Sequence, residues 1–153
     1  MAIAAGVVLV VALVAIFSLE HGKKGPTVTP VSAPLDAYAT SLPVSGLQMS
    51  ESANLAGGKV TYVDGVLTNT GQKTVSAVTV QILFRNYAHE VVQNDTQALK
   101  LIRTRDPYVD LEAVAAAPLK PGDQKPFRLS FDGVSQNWDG AFPEIRILKV
   151  ESK

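Results

Sequence analysis

The run TVSAVTVQILFRNY, Thr74 to Tyr87, constrains the fold more than any other part of the chain. Its inner residues alternate between two sets, Val78, Val80, Ile82 and Phe84 in one and Thr79, Gln81, Leu83 and Arg85 in the other. Because successive side chains of a strand point to opposite faces, this period of two predicts a strand with one face in a core. Such a strand needs a second layer to cover its apolar face.

Further short β-type runs, separated by turn residues, lie on both sides of this strand. They are Leu47–Ser52, Lys59–Asn69, Val91–Ile102, Leu119–Phe131 and Glu144–Ser152. In the fourth run, Phe127, Leu129 and Phe131 fall on one face. Six or seven short strands without a βαβ rhythm predict an all-β fold, an antiparallel immunoglobulin-like β-sandwich over residues 46–153.

The stretch RTRDPYVDLEAVAAAP, Arg103 to Pro118, is compatible with two structures. Asp106 could cap a short helix with Pro107 at its first position. Tyr108 and Val109 could equally begin an extended segment. The sequence leaves both alternatives open.

The stretch VDGVLTNTG, Val63 to Gly71, has the glycines of a phosphate-binding loop but not its context. Such a loop leads into a helix whose N-terminus meets the anion. Here Gly71 leads into a β-run, so we predict a strand that ends in a turn. Gly65, inside the strand, indicates a bulge or a close approach of another backbone.

The segment Ala2 to Leu19 carries no charge. As a helix it would be about 27 Å long, close to the thickness of the hydrocarbon core. We predict that residues 1–24 form a transmembrane anchor with a basic flank and that residues 25–45 form a Pro/Ser/Thr-rich linker. A cleaved signal peptide is the alternative, but no Lys or Arg precedes the apolar run, which could also mean a true start upstream of Met1.

The orientation of this single-pass anchor rests on two opposed signals. Lys23 and Lys24 follow the apolar run, and the positive-inside rule would place them in the cytoplasm. The linker resembles the stalks that hold a domain off the outer face of a membrane. We expect an extracytoplasmic β domain.

Charge and composition narrow the classes of partner and cofactor. The chain has 14 basic and 14 acidic residues, so it lacks the basic excess of a nucleic-acid-binding protein. It has no cysteine, which excludes disulfides and thiolate metal sites. His21 and His89 are far apart and show no ligand spacing. We therefore expect no nucleic acid, no metal site and no cofactor.

The string VDGVLTNTGQKTVSAVTVQILF, followed by EVV and later by LKPGDQKPFRLSF, resembles the FxLYD-type domains of bacterial envelope proteins and related families of unknown function. The matching residues are Gly65, Asn69, Gly71, Pro121, Gly122 and Phe127. The likeness covers roughly Lys59 to Phe131; the Phe-x-Leu-Tyr-Asp string itself is absent, and His89 stands where those domains often have Gly. The resemblance implies a β-sandwich outside the membrane with no assigned catalytic activity.

The residues give no support for catalysis. No Gly-x-Ser-x-Gly motif occurs, and the carboxylates of Asp106, Asp110 and Glu112 are expected to be ordinary solvated groups. We predict a non-enzyme without catalytic residues, acting as a protein-interaction or structural module of the bacterial envelope. Its expected contact surface is Tyr108, Val109 and Leu111, apolar groups in a loop-like stretch.

Trp138 is the basis of the alternative function. A lone tryptophan in a small β domain is usually a core plug or a cap over one end of the sandwich. If a pocket lies beside Trp138, the protein would be a small-ligand-binding or, less plausibly, an enzymatic domain.

Overall fold

The computed structural model describes residues 29–53 and 55–153. They form eight strands: β1 (Val44–Ala53), β2 (Lys59–Thr68), β3 (Val75–Arg85), β4 (Val91–Ala98), β5 (Lys100–Thr104), β6 (Asp110–Ala113), β7 (Gln124–Asp132) and β8 (Glu144–Ser152). Two single-turn 3-10 segments, Ala39–Ser41 and Val114–Ala116, are the only helical elements in these residues. The all-β prediction is confirmed, with eight strands rather than six or seven.

The strands form two antiparallel sheets that enclose one core. The first has five strands in the order β1-β2-β7-β5-β6, and the second has three in the order β4-β3-β8. Both sheets supply buried side chains to the same cluster, among them Val63, Leu67, Phe127 and Leu129 from the first and Val80, Ile82 and Phe84 from the second. The alternation read from β3 is therefore confirmed, because its predicted inner face lies in this core.

The predicted strand Val91–Ile102 is two strands in two different sheets. β4 pairs with β3, and β5 pairs with β6 and β7. The chain crosses between the sheets at the buried Leu99, whose N–H donates to the carbonyl of Val78 over 2.9 Å. A continuous β-type run in the sequence does not show such a change of partner.

The ambiguous stretch from Arg103 to Pro118 adopts the extended alternative. β6 occupies Asp110–Ala113 and is followed by the 3-10 turn Val114–Ala116. Strand β6 pairs with β5, and this pairing satisfies the backbone groups that a helix would have used internally.

Gly65 is required by a side chain rather than by another backbone. It lies opposite Phe127 in the pairing of β2 with β7. A Cβ atom at position 65 would lie 2.6 Å from the Phe127 ring and 3.0 Å from Leu47. The bulge is in β1, across from Gly65, where Gly46 has a φ of 60°. This is the left-handed conformation that a glycine bulge uses.

The turn at Asn69 ties three distant segments together. The Asn69 side chain is fully buried, and its Oδ1 accepts hydrogen bonds from the Tyr38 hydroxyl at 2.9 Å and the Gly71 N–H at 3.1 Å. Its Nδ2 donates to the carbonyls of Lys73 at 2.8 Å and Leu119 at 3.0 Å. One carboxamide thus makes hydrogen bonds to three segments that lie outside the strands.

Residues 29–45, which the sequence analysis assigned to a linker, contact the β domain. Leu42 is buried in the core and β1 already begins at Val44. The Asp36 N–H donates to the Ile147 carbonyl at 3.0 Å, and its carboxylate accepts from the Val150 N–H at 2.8 Å. Asp36 therefore covers part of the edge of β8, which limits pairing with other strands.

Residues 29–33, here called the strap, lie across the outer face of the three-stranded sheet. Three side chains, here called the polar strip, hold them: Gln81 on β3, Asn94 on β4 and Arg146 on β8. Gln81, on the face of β3 that alternates with the core face, is fully buried beneath the strap.

The predicted anchor, residues 1–24, lies outside the described residues. Among residues 29–53 and 55–153, no helix has the length and apolar character needed to span a bilayer.

Replacing Asn69 with alanine tests the role of its carboxamide. Tyr38, Lys73, Leu119 and Gly71 would each lose a partner in a buried or half-buried site, so we expect a loss of about 3 kcal/mol in the free energy of unfolding. Urea denaturation of both proteins would measure it. The same change at the exposed Asn137 should cost less than about 0.5 kcal/mol. Equal costs at both positions would contradict this role.

Candidate functional site

The predicted contact surface lies at one edge of the five-stranded sheet. Tyr108 is in the loop before β6 and 82% exposed, whereas Val109 and Leu111 are half-buried. Leu111 pairs with Ile102, which is buried on β5. The structure therefore brings the three predicted residues to one edge but leaves only Tyr108 projecting freely into solvent.

A carboxylate–guanidinium cluster lies on the outer face of the same sheet. Asp64 on β2 accepts two hydrogen bonds from Arg128 on β7, from Nε at 2.6 Å and from Nη2 at 2.8 Å. This bidentate geometry matches the planar fork of arginine to a carboxylate. The Arg128 guanidinium also lies over the Tyr62 ring, 4.6 Å from its centre. Cross-strand pairing places these groups side by side, because Asp64 is opposite Arg128.

Arg105 connects the cluster to the loop that carries Tyr108. Its Nη1 donates to Asp64 Oδ2 at 3.0 Å. Asp110, at the other end of the loop, forms an ion pair with Arg103 on β5. The backbone from Arg105 to Asp110 is thus attached to the domain at both ends. Such a loop presents Tyr108 in a restricted set of positions, which lowers the entropy lost on binding.

The electrostatics of the cluster favour the charged carboxylate. Burial by itself would raise the pKa of Asp64, but hydrogen bonds from Arg128 and Arg105 and the charges of both arginines outweigh burial and lower that pKa below its ordinary value. The same hydrogen bond to Asp64 raises the pKa of Arg128. The cluster is therefore a structural ion pair that stays charged at neutral pH.

Trp138 packs over one end of the core. Its ring meets Phe84 edge to face with centroids 5.4 Å apart, and its indole N–H donates to the Ala141 carbonyl at 3.0 Å. This confirms the predicted cap. Beside it lies an open depression lined by Asn86, Tyr87, Ala88, Gln136, Asn137 and Trp138.

The polar groups near this depression serve the local turn. The Asn86 carboxamide accepts from the N–H groups of Ala88 and Glu90 and donates to the Glu90 carboxylate. His89 is exposed in the same turn with a φ of 62°, a conformation that glycine adopts most easily. The Asn86 carboxamide, which lines the depression, is therefore used by the local turn.

The acidic and histidine side chains do not form a metal site in the part of the chain that the structure describes. Within residues 29–53 and 55–153, no three His, Asp or Glu side chains are close enough together to hold a metal ion. Of the carboxylates considered from the sequence, Asp110 is paired with Arg103.

The sequence analysis missed Asp64, Arg105 and Arg128. The alternation of side chains along β2 and β7 indicated only that Asp64 and Arg128 face away from the core. Asp64 and Arg128 are 64 residues apart, so their meeting depends on the register between β2 and β7. The sequence of either strand alone does not determine that register.

Replacing Asp64 with asparagine should lower the free energy of unfolding by about 2 kcal/mol at pH 7, because Arg128 would lose its counter-charge in a mostly buried site. The folded-state pKa of Asp64 is depressed, so its contribution is complete above the unfolded pKa of about 4 and is lost as pH falls through the folded value. The difference between the two proteins should therefore shrink below about pH 4. Urea denaturation from pH 7 to pH 2 would measure it, with the exposed Asp132→Asn as control. A constant difference at every pH would contradict the assignment.

The comparisons with known proteins give one match. A family model described as a protein of unknown function, DUF2393, matches residues 43–144. This range starts just before β1 and ends at the first residue of β8. No curated protein and no solved structure gives a match. The matched range covers about two thirds of the chain, which therefore belongs to the DUF2393 family, an uncharacterised domain family with, in this member, a two-sheet β fold.

Proposed function

We propose that the protein is a membrane-anchored, non-catalytic module that binds another protein of the bacterial envelope through the loop carrying Tyr108. The observation that supports this most directly is the 82% exposure of Tyr108 on a loop attached at both ends by ion pairs. A large aromatic side chain held in water gains from burial, and a bound partner would bury it.

The composition of the surrounding surface also favours protein binding. Tyr62, Arg105, Arg128 and Tyr108 belong to one face and its adjoining loop. Tyrosine and arginine are the residue types most enriched where interfaces concentrate their binding free energy. Because Asp64 already fixes Arg128, this side chain would lose little conformational freedom when a partner arrives.

The non-catalytic part of the proposal is supported by how candidate reactive groups are used. The indole N–H of Trp138 and the carboxamide of Asn86 are both engaged in local hydrogen bonds, and His89 is an exposed turn residue. A small-ligand site beside Trp138 remains the second candidate function, supported only by the open depression next to the ring.

The anchor and the finer fold assignment are proposals from the sequence. Ala2–Leu19 is long and apolar enough for one membrane crossing, with the β domain outside the cytoplasm. An immunoglobulin-like arrangement is supported by the pairing of β2 with β7 and of β3 with β8 in separate sheets. Kinship with FxLYD-type domains is supported by two contacts between residues of the shared motif. Gly65 lies against Phe127, and the Asn69 carbonyl accepts from the Gly122 N–H at 2.8 Å.

A photo-crosslinking residue at position 108, tested in the native cells, should capture one discrete protein. Tyr108→Ser should then reduce co-purification of that protein about tenfold, because an exposed aromatic anchor is lost. Its thermal unfolding should stay within a few degrees of the wild type. Leu111 is left unchanged because it is half-buried opposite Ile102.

Tyr87 provides the matched control, since it is 86% exposed at another turn. A crosslinker at position 87 should not capture the same protein, and Tyr87→Ser should leave co-purification unchanged. Equal capture at both positions, or none at position 108, would contradict the proposed surface.

A reporter fused after Lys153 tests the anchor and its orientation. We expect alkaline phosphatase to be active and a fluorescent protein that folds only in the cytoplasm to be dark, with both fusions in the membrane fraction. Removing residues 2–19 should release the fusions from the membrane. The opposite reporter pattern would place the β domain in the cytoplasm, the location that the positive-inside rule predicts from Lys23 and Lys24.

A further inference from the structure

The polar strip holds the strap entirely through backbone oxygen atoms. Asn94 Nδ2 donates to the Thr29 carbonyl at 2.6 Å, and Gln81 Nε2 donates to the Pro30 carbonyl at 2.9 Å. Arg146 donates to the carbonyls of Val31 and Ala33, the latter at 2.7 Å. In each of these bonds a strip side chain is the donor and a strap carbonyl is the acceptor. The strap forms a turn, in which the Ala33 N–H donates to the Pro30 carbonyl at 3.0 Å. The strip thus recognises the carbonyl groups around this turn and not the side chains of this particular segment.

The three side chains are also connected to one another. Gln81 Nε2 donates to Asn94 Oδ1 at 3.0 Å, and Arg146 Nη1 donates to Gln81 Oε1 at 2.8 Å. These bonds run across the strands β4, β3 and β8. They fix the spacing of the donors, so the strip is preorganised for a chain that crosses the sheet.

We propose that the polar strip is a peptide-binding site for proline-containing segments that form the same turn as the strap, and that the strap occupies it reversibly. A segment of the same chemistry from another protein would bind by displacing the strap. The surface is separate from the Tyr108 loop, which belongs to the other sheet, so the inference does not depend on the proposed function.

The chemistry beneath the strap indicates that it can detach. A permanently covered sheet face is normally apolar, because buried polar groups lose their hydration. Here the fully buried residue under the strap is Gln81, and its neighbours in the strip are Asn94 and Arg146. Water can satisfy all three side chains when the strap leaves.

The strap itself has weak apolar attachment. Val31 is 43% exposed, and Leu35, just beyond it, is 54% exposed. Neither side chain is an anchor in the core. The strap is therefore held mainly by hydrogen bonds that exchange readily with water.

Proline suits recognition through carbonyl groups. Pro30 has no N–H to satisfy, and Pro34 follows directly after the strap. Proline also restricts the backbone before binding, which reduces the entropy lost on docking. The chemical class of the competing ligand is therefore a short peptide that can form the same turn and has proline at a spacing similar to that in TPVSAP.

Distance measurements between two spin labels on the full chain test the proposal. The chain has no cysteine, so Val31→Cys and Thr96→Cys provide unique labelling positions. Thr96 is exposed on β4 opposite Gln81, which places it on the strip face. A docked strap should give a short, narrow distance distribution in nanodiscs.

Two perturbations should remove this short distance. A synthetic peptide, TPVSAPL, should displace the strap at about millimolar concentration, because the attached strap competes at a similar effective concentration. The peptide TAVSAAL should need several-fold more, since it lacks the proline residues. In Arg146→Ala, the docked fraction should fall about tenfold without any peptide, since two charge-assisted contacts are lost.

Matched controls keep the outcome decisive. Lys149→Ala removes another cation from β8 that pairs only locally with Glu151, and it should leave the strap docked. Asn94→Ala, on the edge strand β4, should undock the strap as Arg146→Ala does. If Arg146→Ala does not fold, the Asn94→Ala variant alone tests whether the strip holds the strap.

Three results would overturn the proposal. An undiminished short distance in both strip variants would mean that the strip does not hold the strap. Persistence of that distance at several millimolar TPVSAPL would mean that the strap is a permanent brace. Loss of the distance after dilution with unlabelled chains would mean that the occupant comes from a second copy.

Discussion

The Asn69 carboxamide is the contact on which the arrangement of the domain depends. It joins the segment around Tyr38, the turn at Gly71 to Lys73 and the chain at Leu119, which come from three separate parts of the sequence. These segments lie outside the strands, and backbone hydrogen bonds join them to their neighbours at single points, such as Leu119 with Val75. A single buried side chain with all its hydrogen bonds made connects them to one another, and it leaves little freedom for an alternative packing. Gly71 must be glycine for the same reason, because a Cβ atom there would lie 2.1 Å from the Tyr38 hydroxyl.

Features that depend on neighbouring residues were predictable from the sequence. The alternation in β3 and β7 gave the core faces, and the turn residues Asn69 and Gly122 gave the strand ends. Features that depend on distant residues were not predictable from the sequence. The change of sheet at Leu99, the Asp64–Arg128 pair and the polar strip all require the register between strands far apart in sequence. Of the candidate site, the exposed Tyr108 was found, but the arginine that holds its loop was not.

The outer faces of the two sheets use arginine in different ways. On the five-stranded sheet, Arg128 is neutralised by Asp64 and lies on an aromatic ring. On the three-stranded sheet, Arg146 directs donors at the carbonyls of Val31 and Ala33, and its nearest carboxylate, on Glu144, is 3.8 Å away. The arginine guanidinium serves both purposes because it carries five donors in a planar fork, whereas the ammonium group of lysine does not. On the first face the arginine therefore finds its partners within the sheet, whereas on the second face the arginine donates to the backbone of the strap.

The order of contacts along the strap determines how the domain would respond to mechanical force. The strap crosses the strands, meeting Asn94 first, then Gln81, then Arg146. A pull on the chain ahead of Thr29 would load these bonds one after another, as in peeling, rather than all together, as in shear. The strap would therefore open at low tension and lengthen the chain ahead of the β domain, while Asp36 and the Tyr38–Asn69 contact kept the domain intact. Tension alone would expose Gln81, with the folded core acting only as a fixed support.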